Sequence, residues 1–303
     1  MTVQLMINRL AMLVLLVGFL QSSPVIGNDF PLLNGATDQA LQDALSVSLE
    51  KLHLDQAIAE KRLAVSVVDI TDPAAPRMAE VNGNVMLYAA SLPKIGILLG
   101  AMQRIHEGTL ALDSSLQSKL ERMIRHSSNT AASEVLTIVV EQYLADLLQS
   151  DKYQLYKPER GGLWVGKTYG KAPAWKRHPL YNISHGASAN EVARFYYLLA
   201  TNRLVSEESC DVMRDILKDP AISHKFVAGI QRIHPDATIY RKSGTWRTYH
   251  SDSAIIDHDG RQYIVVALAN DANGGQWLEN IIVEMDQIVF ATANETRISQ
   301  AAN

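Results

Sequence analysis

The chain has 303 residues, of which 47% are hydrophobic and 20% are charged, and its formal net charge is −4. This is the balance of an ordinary globular protein, long enough for one large core or two packed subdomains, and it lacks the basic excess typical of nucleic-acid binding. The single cysteine, Cys210, excludes an intramolecular disulfide, and its helical context over residues 206–217 indicates a small buried hydrophobe rather than a nucleophile.

The N-terminus has the pattern of a secretory signal peptide over residues 1–27. Arg9 precedes an apolar run that ends at Leu20, and small residues follow up to Gly27. The run is short for a membrane span, although an uncleaved anchor is the alternative interpretation. We therefore expect a secreted or periplasmic bacterial protein that keeps no stable membrane span once the peptide is cleaved.

The next part of the chain indicates a helix followed by two strands. Apolar positions recur at helical spacing over residues 38–59, and residues 62–70 alternate as a strand does. A second strand over 77–81 ends at the turn residues Asn82-Gly83-Asn84.

A long helix is then predicted to start at Ser91, with Pro93 in its first turn and Gly108 just past its end. Helical patterns dominate from there to residue 217. Within this stretch, Ser188-Ala189-Asn190-Glu191 is typical of a capping box.

The last part of the chain returns to strands and closes with a helix. Strands are predicted over 238–242, 253–256 and 263–268, the last two as a hairpin around Asp257-His258-Asp259-Gly260, and a helix over 277–292. This order predicts an α+β fold: an antiparallel sheet flanked by terminal helices, plus an inserted all-helical subdomain. We expect residues 28–90 and 221–303 to form the α/β subdomain and 91–220 the helical one.

The first of three polar clusters is Ser91-Leu92-Pro93-Lys94. Residues three apart at a helix N-terminus share a face, so the Lys94 amine can reach the Ser91 hydroxyl and act as its base if burial lowers the pKa of the amine. The S-x-x-K pattern alone is weak, because Ser48-Leu49-Glu50-Lys51 is a second copy in the middle of a predicted helix. The Ser91 copy differs because it follows a strand-and-coil entry over residues 86–90.

Two further clusters supply partners for this pair. In Ser127-Ser128-Asn129, the Ser127 hydroxyl, placed between two lysines, can relay a proton to a leaving nitrogen, and the Asn129 amide can hold both a substrate carbonyl and a nearby lysine. Lys242-Ser243-Gly244 lies on a predicted strand, where the first two residues suit a substrate carboxylate and the glycine permits close backbone approach. The N–H groups of Ser91 and Thr245 are candidates for an oxyanion hole.

In this order the clusters resemble the active-site motifs of the class A β-lactamase and penicillin-binding-protein superfamily. The resemblance covers the mature chain, and Asn129-Thr130-Ala131-Ala132 and Lys242-Ser243-Gly244-Thr245 are similar to class A enzymes. It implies the β-lactamase/transpeptidase-like fold. It also implies that Ser91 is the nucleophile, Lys94 the base and Ser127 the proton relay. The substrate-binding residues implied are Asn129, Lys242, Ser243, Gly244 and Thr245.

The chain departs from the class A pattern at two places. Ser128 replaces the usual Asp of the second motif, a largely structural position in the family. More important, class A enzymes use a loop Glu to activate the deacylating water, whereas no Asp or Glu lies between Arg160 and Asn190, and Glu159 is in an unmatched setting. The resemblance therefore implies an exported serine hydrolase that opens β-lactam or D-alanyl amides, or alternatively a penicillin- or muropeptide-binding protein that deacylates poorly.

The stretch from Arg160 to Tyr181 is basic and aromatic. It is either a wall that binds an anionic or sugar-bearing cell-wall fragment or a solvated loop with a few buried aromatic side chains. Its run Gly161-Gly162-Leu163-Trp164-Val165-Gly166-Lys167-Thr168 matches the P-loop pattern, but Gly170 and Pro173 oppose the helix that a P-loop requires next.

Cofactors and partners follow from the same residues. The nine histidines show no metal-ligand spacing, so no metal and no cofactor is expected. The expected partner is a β-lactam or a peptidoglycan-derived peptide, with no nucleic acid, and the protein is expected to be a monomer.

Overall fold

The computed structural model describes residues 30–301, with side chains for 30–33 and 35–293. The expected signal peptide, residues 1–27, lies outside the described residues. In chain order the elements are α1 (Gln39–Lys51), α2 (Asp55–Ala59), β1 (Leu63–Asp69), β2 (Arg77–Val81), β3 (Leu87–Tyr88), α3 (Lys94–His106), α4 (Ser114–Ile124), α5 (Asn129–Val139), α6 (Glu141–Gln149), β4 (Tyr156–Lys157), β5 (Gly161–Gly162), β6 (Trp164–Val165), β7 (His185–Ala187), α7 (Ala189–Ala200), α8 (Glu207–Leu217), α9 (Phe226–Ile233), β8 (Thr238–Trp246), β9 (Tyr249–His258), β10 (Arg261–Asn270) and α10 (Gly274–Ala301).

The main sheet has five antiparallel strands in the order β2-β1-β10-β9-β8, and both of its faces are covered. Successive side chains of a strand point to opposite faces. In β1, Leu63, Val65 and Val67 join the core formed with α1, α9 and α10, whereas Ala64 and Val68 join the core of the helical side. The central strands are therefore buried on both faces, and the predicted α+β fold with terminal helices on an antiparallel sheet is confirmed.

The helices α3 to α8 form the second part of the core. Ten consecutive residues of α3, from Lys94 to Gln103, are buried. A helix that is apolar nearly all round must be surrounded by others, and α3 is packed by α4, α5, α6 and α8. This burial fixes the N-terminus of α3, where Lys94 lies.

Three predicted elements differ in the structure. The helix over 38–59 is two helices, because the chain turns at residues 52–54, where His53 has φ +58°. The region between α6 and α7, expected to be helical, contains only the short strands β4 to β7. Ser188 does precede α7, but its side chain makes no capping hydrogen bond, and Glu191 pairs with Arg194 instead.

The strands at the C-terminal end are longer than predicted. The strands over 238–242, 253–256 and 263–268 extend to 238–246, 249–258 and 261–270. The hairpin turn is the two-residue Asp259-Gly260, with φ +49° and +71°, which suits the Asp-Gly pair. Among the described residues, no helix is both long enough and apolar enough to cross a membrane.

Candidate active site

Ser91 and Lys94 lie in contact at the start of α3. Ser91 is in the turn before the helix, and the Lys94 N–H donates to the Ser91 carbonyl at 3.2 Å. The turn brings the Lys94 Nζ to 3.0 Å from the Ser91 Oγ. Ala90, directly before the serine, has φ +50°, a conformation that costs energy for a residue with a side chain. The surrounding contacts therefore hold Ser91 in place.

The Lys94 amine is buried among oxygen acceptors. Its Nζ donates to the Ser127 carbonyl at 2.6 Å and to the Asn129 Oδ1 at 2.8 Å, and it lies 3.4 Å from the Ser127 Oγ. The residue has no exposed surface, and burial lowers the pKa of Lys94 to about 7. No carboxylate of the described side chains forms an ion pair with it. Near neutral pH the amine is thus present in both forms, as a general base requires.

Ser127 lies between two lysines. The Lys242 Nζ donates to its Oγ at 2.9 Å, and Lys94 approaches from the other side. Burial, with the nearby charges of Lys94 and Arg241, holds the pKa of Lys242 well below its usual value. Ser127 itself has φ +55°, and the Ser128 hydroxyl accepts from the Ala131 N–H and caps α5. Ser128 therefore has a structural role here.

Strand β8 passes directly behind Ser91. A side chain added at Gly244 would collide with the Ala89 carbonyl and would lie 2.6 Å from the Ser91 nitrogen. From β9, the Ser251 hydroxyl donates to the same carbonyl at 2.8 Å. The Ser91 N–H has no backbone acceptor among the described residues. It is therefore available to a substrate oxygen, with Thr245 next to Gly244 on the strand.

Lys225 is a residue of this site that the sequence analysis missed. Its buried Nζ donates to the Gly244 carbonyl at 2.7 Å and to the Thr245 Oγ1 at 2.9 Å. Burial lowers the pKa of Lys225 to about 8. Lys225 lies in the loop before α9. This loop is held by hydrogen bonds to a buried ion pair between Arg241 of β8 and Asp252 of β9, whose charged atoms are 2.7 Å apart. No local motif surrounds Lys225, so only the folded structure reveals it.

The opposite wall of the cleft comes from the loop region between α6 and α7. Tyr169 donates to the Ala90 carbonyl at 3.3 Å, and its ring centre lies 4.4 Å from the Lys94 Nζ. His185 lies against the Tyr169 ring, and burial lowers its pKa to about 4, so it is neutral at pH 7. This wall therefore places an aromatic ring next to the Lys94 amine.

Together these residues enclose a cleft of about 300 Å³. The residues lining it are Tyr88, Ala90, Ser91, Asn129, Lys167, Tyr169, Gly170, Lys171, His185, Thr245 and Trp246. None of them is acidic, and two are lysines. Lys242 and Ser243 are buried on β8, and the Lys242 Nζ reaches the Ser127 hydroxyl at 2.9 Å. The structure thus gathers all the sequence-predicted site residues at one place.

The second S-x-x-K copy lies away from the cleft, and the P-loop-like run lacks the helix that a P-loop requires directly after it. Ser48 of the second S-x-x-K copy lies in α1, and Lys51 pairs with Glu284 on the surface. The P-loop-like run holds β5 and β6, and the next helix does not begin until Ala189. Of the basic aromatic stretch, Trp164 is fully buried and Tyr181 is exposed, while Lys167, Tyr169 and Lys171 line the cleft.

A family model described as "Beta-lactamase enzyme family" matches residues 113–293, more than half of the chain. The matched segment contains Ser127, Asn129 and the strand with Lys242, and it begins after Ser91 and Lys94. The assignment of those two residues therefore depends on their geometry. Among curated proteins, none has a significantly similar sequence.

Several solved structures share the fold. A β-lactamase from Chitinophaga pinensis is 15% identical with a TM-score of 0.62, and the alignment covers 80% of this chain and 98% of that one. A β-lactamase from Xanthomonas campestris is 18% identical with a TM-score of 0.64, covering 82% and 98%. The structure of PBP-A is 17% identical with a TM-score of 0.59, covering 78% and 95%. At these identities the likeness shows the fold alone.

Proposed function

The chain belongs to the β-lactamase enzyme family, and from this premise we propose that it is a serine hydrolase that forms an ester between Ser91 and a β-lactam or D-alanyl peptide. The strongest support is the 3.0 Å contact between the Ser91 hydroxyl and the Lys94 amine, which is buried and forms no ion pair with a carboxylate of the described side chains. Such an amine can accept the serine proton at neutral pH, because burial lowers its pKa to about 7.

The proposed acylation has two steps. In the first, the Ser91 Oγ attacks the amide carbon while its proton passes to the neutral Lys94, and the N–H groups of Ser91 and Thr245 bind the oxyanion. In the second, the carbon–nitrogen bond breaks, and the leaving nitrogen takes a proton from the Ser127 hydroxyl. Lys94 then returns its proton to Ser127, 3.4 Å away, so that the proton count balances.

The substrate carboxylate is proposed to bind at the β8 end of the cleft. Thr245 lines the cleft, Ser243 lies two residues earlier on the same face of β8, and the nearby amines of Lys242 and Lys225 can bind the carboxylate as cations because a bound negative charge favours their protonated forms. Asn129 is proposed to hold the substrate's amide carbonyl. An exported protein with this site would meet peptidoglycan-derived peptides as well as β-lactams.

We further propose that the acyl-enzyme is long-lived, as in a penicillin- or muropeptide-binding protein. Water needs a general base to attack the ester, and no acidic side chain lines the cleft in the described part of the chain. Tyr169 and His185 face Lys94 instead, and burial holds the pKa of Tyr169 well above its usual value and that of His185 at about 4. Both ring nitrogens of His185 already contact protein oxygens, Nδ1 the Ser184 hydroxyl at 3.2 Å and Nε2 the Lys167 carbonyl at 3.0 Å, and the Tyr169 hydroxyl donates to the Ala90 carbonyl, so neither side chain can take the place of a loop carboxylate.

The acylation proposal is tested by intact mass spectrometry after incubation with benzylpenicillin. One adduct is expected, and peptide mapping should locate it on Ser91. The adduct should be absent in Ser91→Ala and unchanged in Ser48→Ala, which removes the serine of the second S-x-x-K copy. An unmodified native protein, or an adduct that survives in Ser91→Ala, would contradict the proposal.

A further inference from the structure

Two histidines and a buried aspartate meet at the end of the main sheet remote from Ser91. His234 follows α9, His258 ends β9, and Asp286 lies in α10. Their ligand atoms all lie within 4.8 Å of one another. From Ser251, which contacts the Ser91 turn, to His258 is seven residues of one strand, or roughly 23 Å. The cluster is therefore separate from the acylation site.

The contacts within the cluster are short. The Nε2 atom of His234 lies 3.0 Å from the Asp286 Oδ2, and that of His258 lies 2.7 Å from the Oδ1. These separations approach the roughly 3.3 Å expected between two ligand atoms of a tetrahedral zinc ion. Asp286 is only 4% exposed, so the negative charge of its carboxylate must be balanced by a neighbouring positive charge or a metal ion.

The outer contacts are those that metal ligands usually have. The Nδ1 atoms of His258 and His234 lie 3.2 Å and 3.8 Å from the Asp259 Oδ2, and the Tyr263 hydroxyl donates to the Asp286 Oδ1 at 2.7 Å. A histidine that binds a metal through one ring nitrogen commonly donates its other N–H to a carboxylate, and bound carboxylates accept further hydrogen bonds.

The number of ring protons distinguishes a metal site from a plain hydrogen-bond network. A neutral imidazole has a single N–H donor, whereas His258 faces a carboxylate oxygen at both of its ring nitrogens. Without a metal, a neutral His258 ring leaves one of its nitrogens facing a carboxylate oxygen with no hydrogen between them, and the ring of His234 is stacked on it with the two centres 3.9 Å apart. A metal bound at the Nε2 atom of His258 takes the place of that missing hydrogen, and the Nδ1–H then donates to the Asp259 Oδ2 at 3.2 Å.

We propose that His234, His258 and Asp286 bind a divalent transition metal of the zinc class. Two imidazoles and a carboxylate are a donor set that suits zinc. The His234 side chain is 32% exposed and borders a cavity of about 230 Å³, which gives the ion an entry path and room for water as a fourth ligand. The bound ion joins the end of α9, the β9–β10 turn and α10. Linear spacing could not reveal the site, because its ligands come from three separate elements.

The test uses tag-free protein, with Co²⁺ as a spectroscopic probe and Zn²⁺ in calorimetry. One equivalent of Co²⁺ should give the visible absorption of a tetrahedral site, and Zn²⁺ should displace it and raise the melting temperature. His234→Ala should weaken Zn²⁺ binding at least about 100-fold, more than the loss of an outer contact typically costs. His106→Ala, an exposed histidine of α3, should bind as the native protein does.

Asp259→Asn serves as a milder variant, because Asp259 is 70% exposed and the substitution should not prevent folding. It should weaken Zn²⁺ binding about 10- to 100-fold. Native protein that binds neither ion, or equal affinity in the native protein, His234→Ala and Asp259→Asn, would show that the cluster is only a hydrogen-bond network. Acylation of Ser91 by benzylpenicillin serves as a folding control in every variant.

Discussion

The two walls of the Ser91 cleft are built in different ways. One wall consists of the ends of regular elements, the turn before α3, the start of α5 and strand β8, and its polar side chains Lys94, Ser127 and Lys242 are linked by hydrogen bonds of 2.6 to 3.4 Å. The other wall is the region between α6 and α7, where only two- and three-residue strands interrupt the loop. It brings Tyr169, His185, Lys167 and Lys171 to the cleft, and no acid.

This difference corresponds to the two halves of an acyl-transfer reaction. Forming the ester needs a base for the serine proton, and Lys94 is placed for that. Hydrolysing the ester needs a base for water, and the loop wall presents none. In the proposed mechanism the residues for the two halves come from separate segments of the chain, so one half can be complete while the other is missing. The predictions below test each wall.

The wall formed by the turn before α3, the start of α5 and strand β8 is called the acylation wall below. The largest effect is expected from removing the base that this wall supplies. Lys94→Ala should lower the rate of acylation by benzylpenicillin about 10²- to 10⁴-fold, the usual contribution of general base catalysis. The rate can be followed by intact mass. Lys51→Ala, in the second S-x-x-K copy, should acylate at the native rate. A Lys94→Ala protein that folds and acylates at the native rate would show that Lys94 is not the general base.

A smaller but still large effect is expected at Gly244, where β8 passes behind Ser91. The added methyl group of Gly244→Ala would collide with the Ala89 carbonyl and displace Ser91. We expect acylation at least about tenfold slower and a loss of about 1–3 kcal/mol in the free energy of unfolding. Gly35→Ala, with no atom near the added carbon, is the control. Unchanged acylation in Gly244→Ala would mean that the strand is not tightly packed on the nucleophile.

The pH dependence of acylation tests the protonation of Lys94. Because burial lowers its pKa to about 7, the neutral amine is scarce at low pH and dominant at high pH. The acylation rate should therefore rise about tenfold per pH unit below 7 and level off above it. Stopped-flow or quenched mass measurements from pH 5 to 9 give the profile. A rate that rises only near pH 10 would indicate an ordinary lysine.

The smallest effect is expected on the loop wall, from its two lysines. Lys167 and Lys171 should favour a penicillin whose side chain carries an additional carboxylate. Carbenicillin and benzylpenicillin differ by that group alone, so their acylation rates form a matched pair. Substituting both lysines by Gln should lower the carbenicillin-to-benzylpenicillin ratio about two- to fivefold, as expected for exposed charges. An unchanged ratio favours the interpretation of this stretch as a solvated loop.

The sequence predicted the parts of the site that depend on local patterns. The clusters at Ser91, Ser127 and Lys242 stand at helix starts and on a strand, positions that turn residues and periodicity indicate. The break in the first helix was missed because residues 52–54 contain no glycine or proline to indicate it. The short strands β4 to β7 were missed because each has only two or three residues, too few to show the alternation of a strand.

Lys225 and the histidine cluster were missed for the same reason. Lys225 contacts β8 and β9, and the residues of the cluster come from the end of α9, from β9 and from α10. Only packing brings these groups together, so their sequence neighbours show nothing of their roles. Cys210, in contrast, was predicted as a small buried hydrophobe, and it is fully buried in α8.

The central claim is that the acylation wall is complete and the loop wall lacks a base for water. It is tested most directly by following the benzylpenicillin adduct on Ser91 by intact mass after the free penicillin is removed. The structure predicts an adduct that forms readily and persists for many times the period needed to form it. Rapid loss of the adduct with release of the opened penicillin would contradict the account and would require a water-activating group that the cleft, as described, does not show.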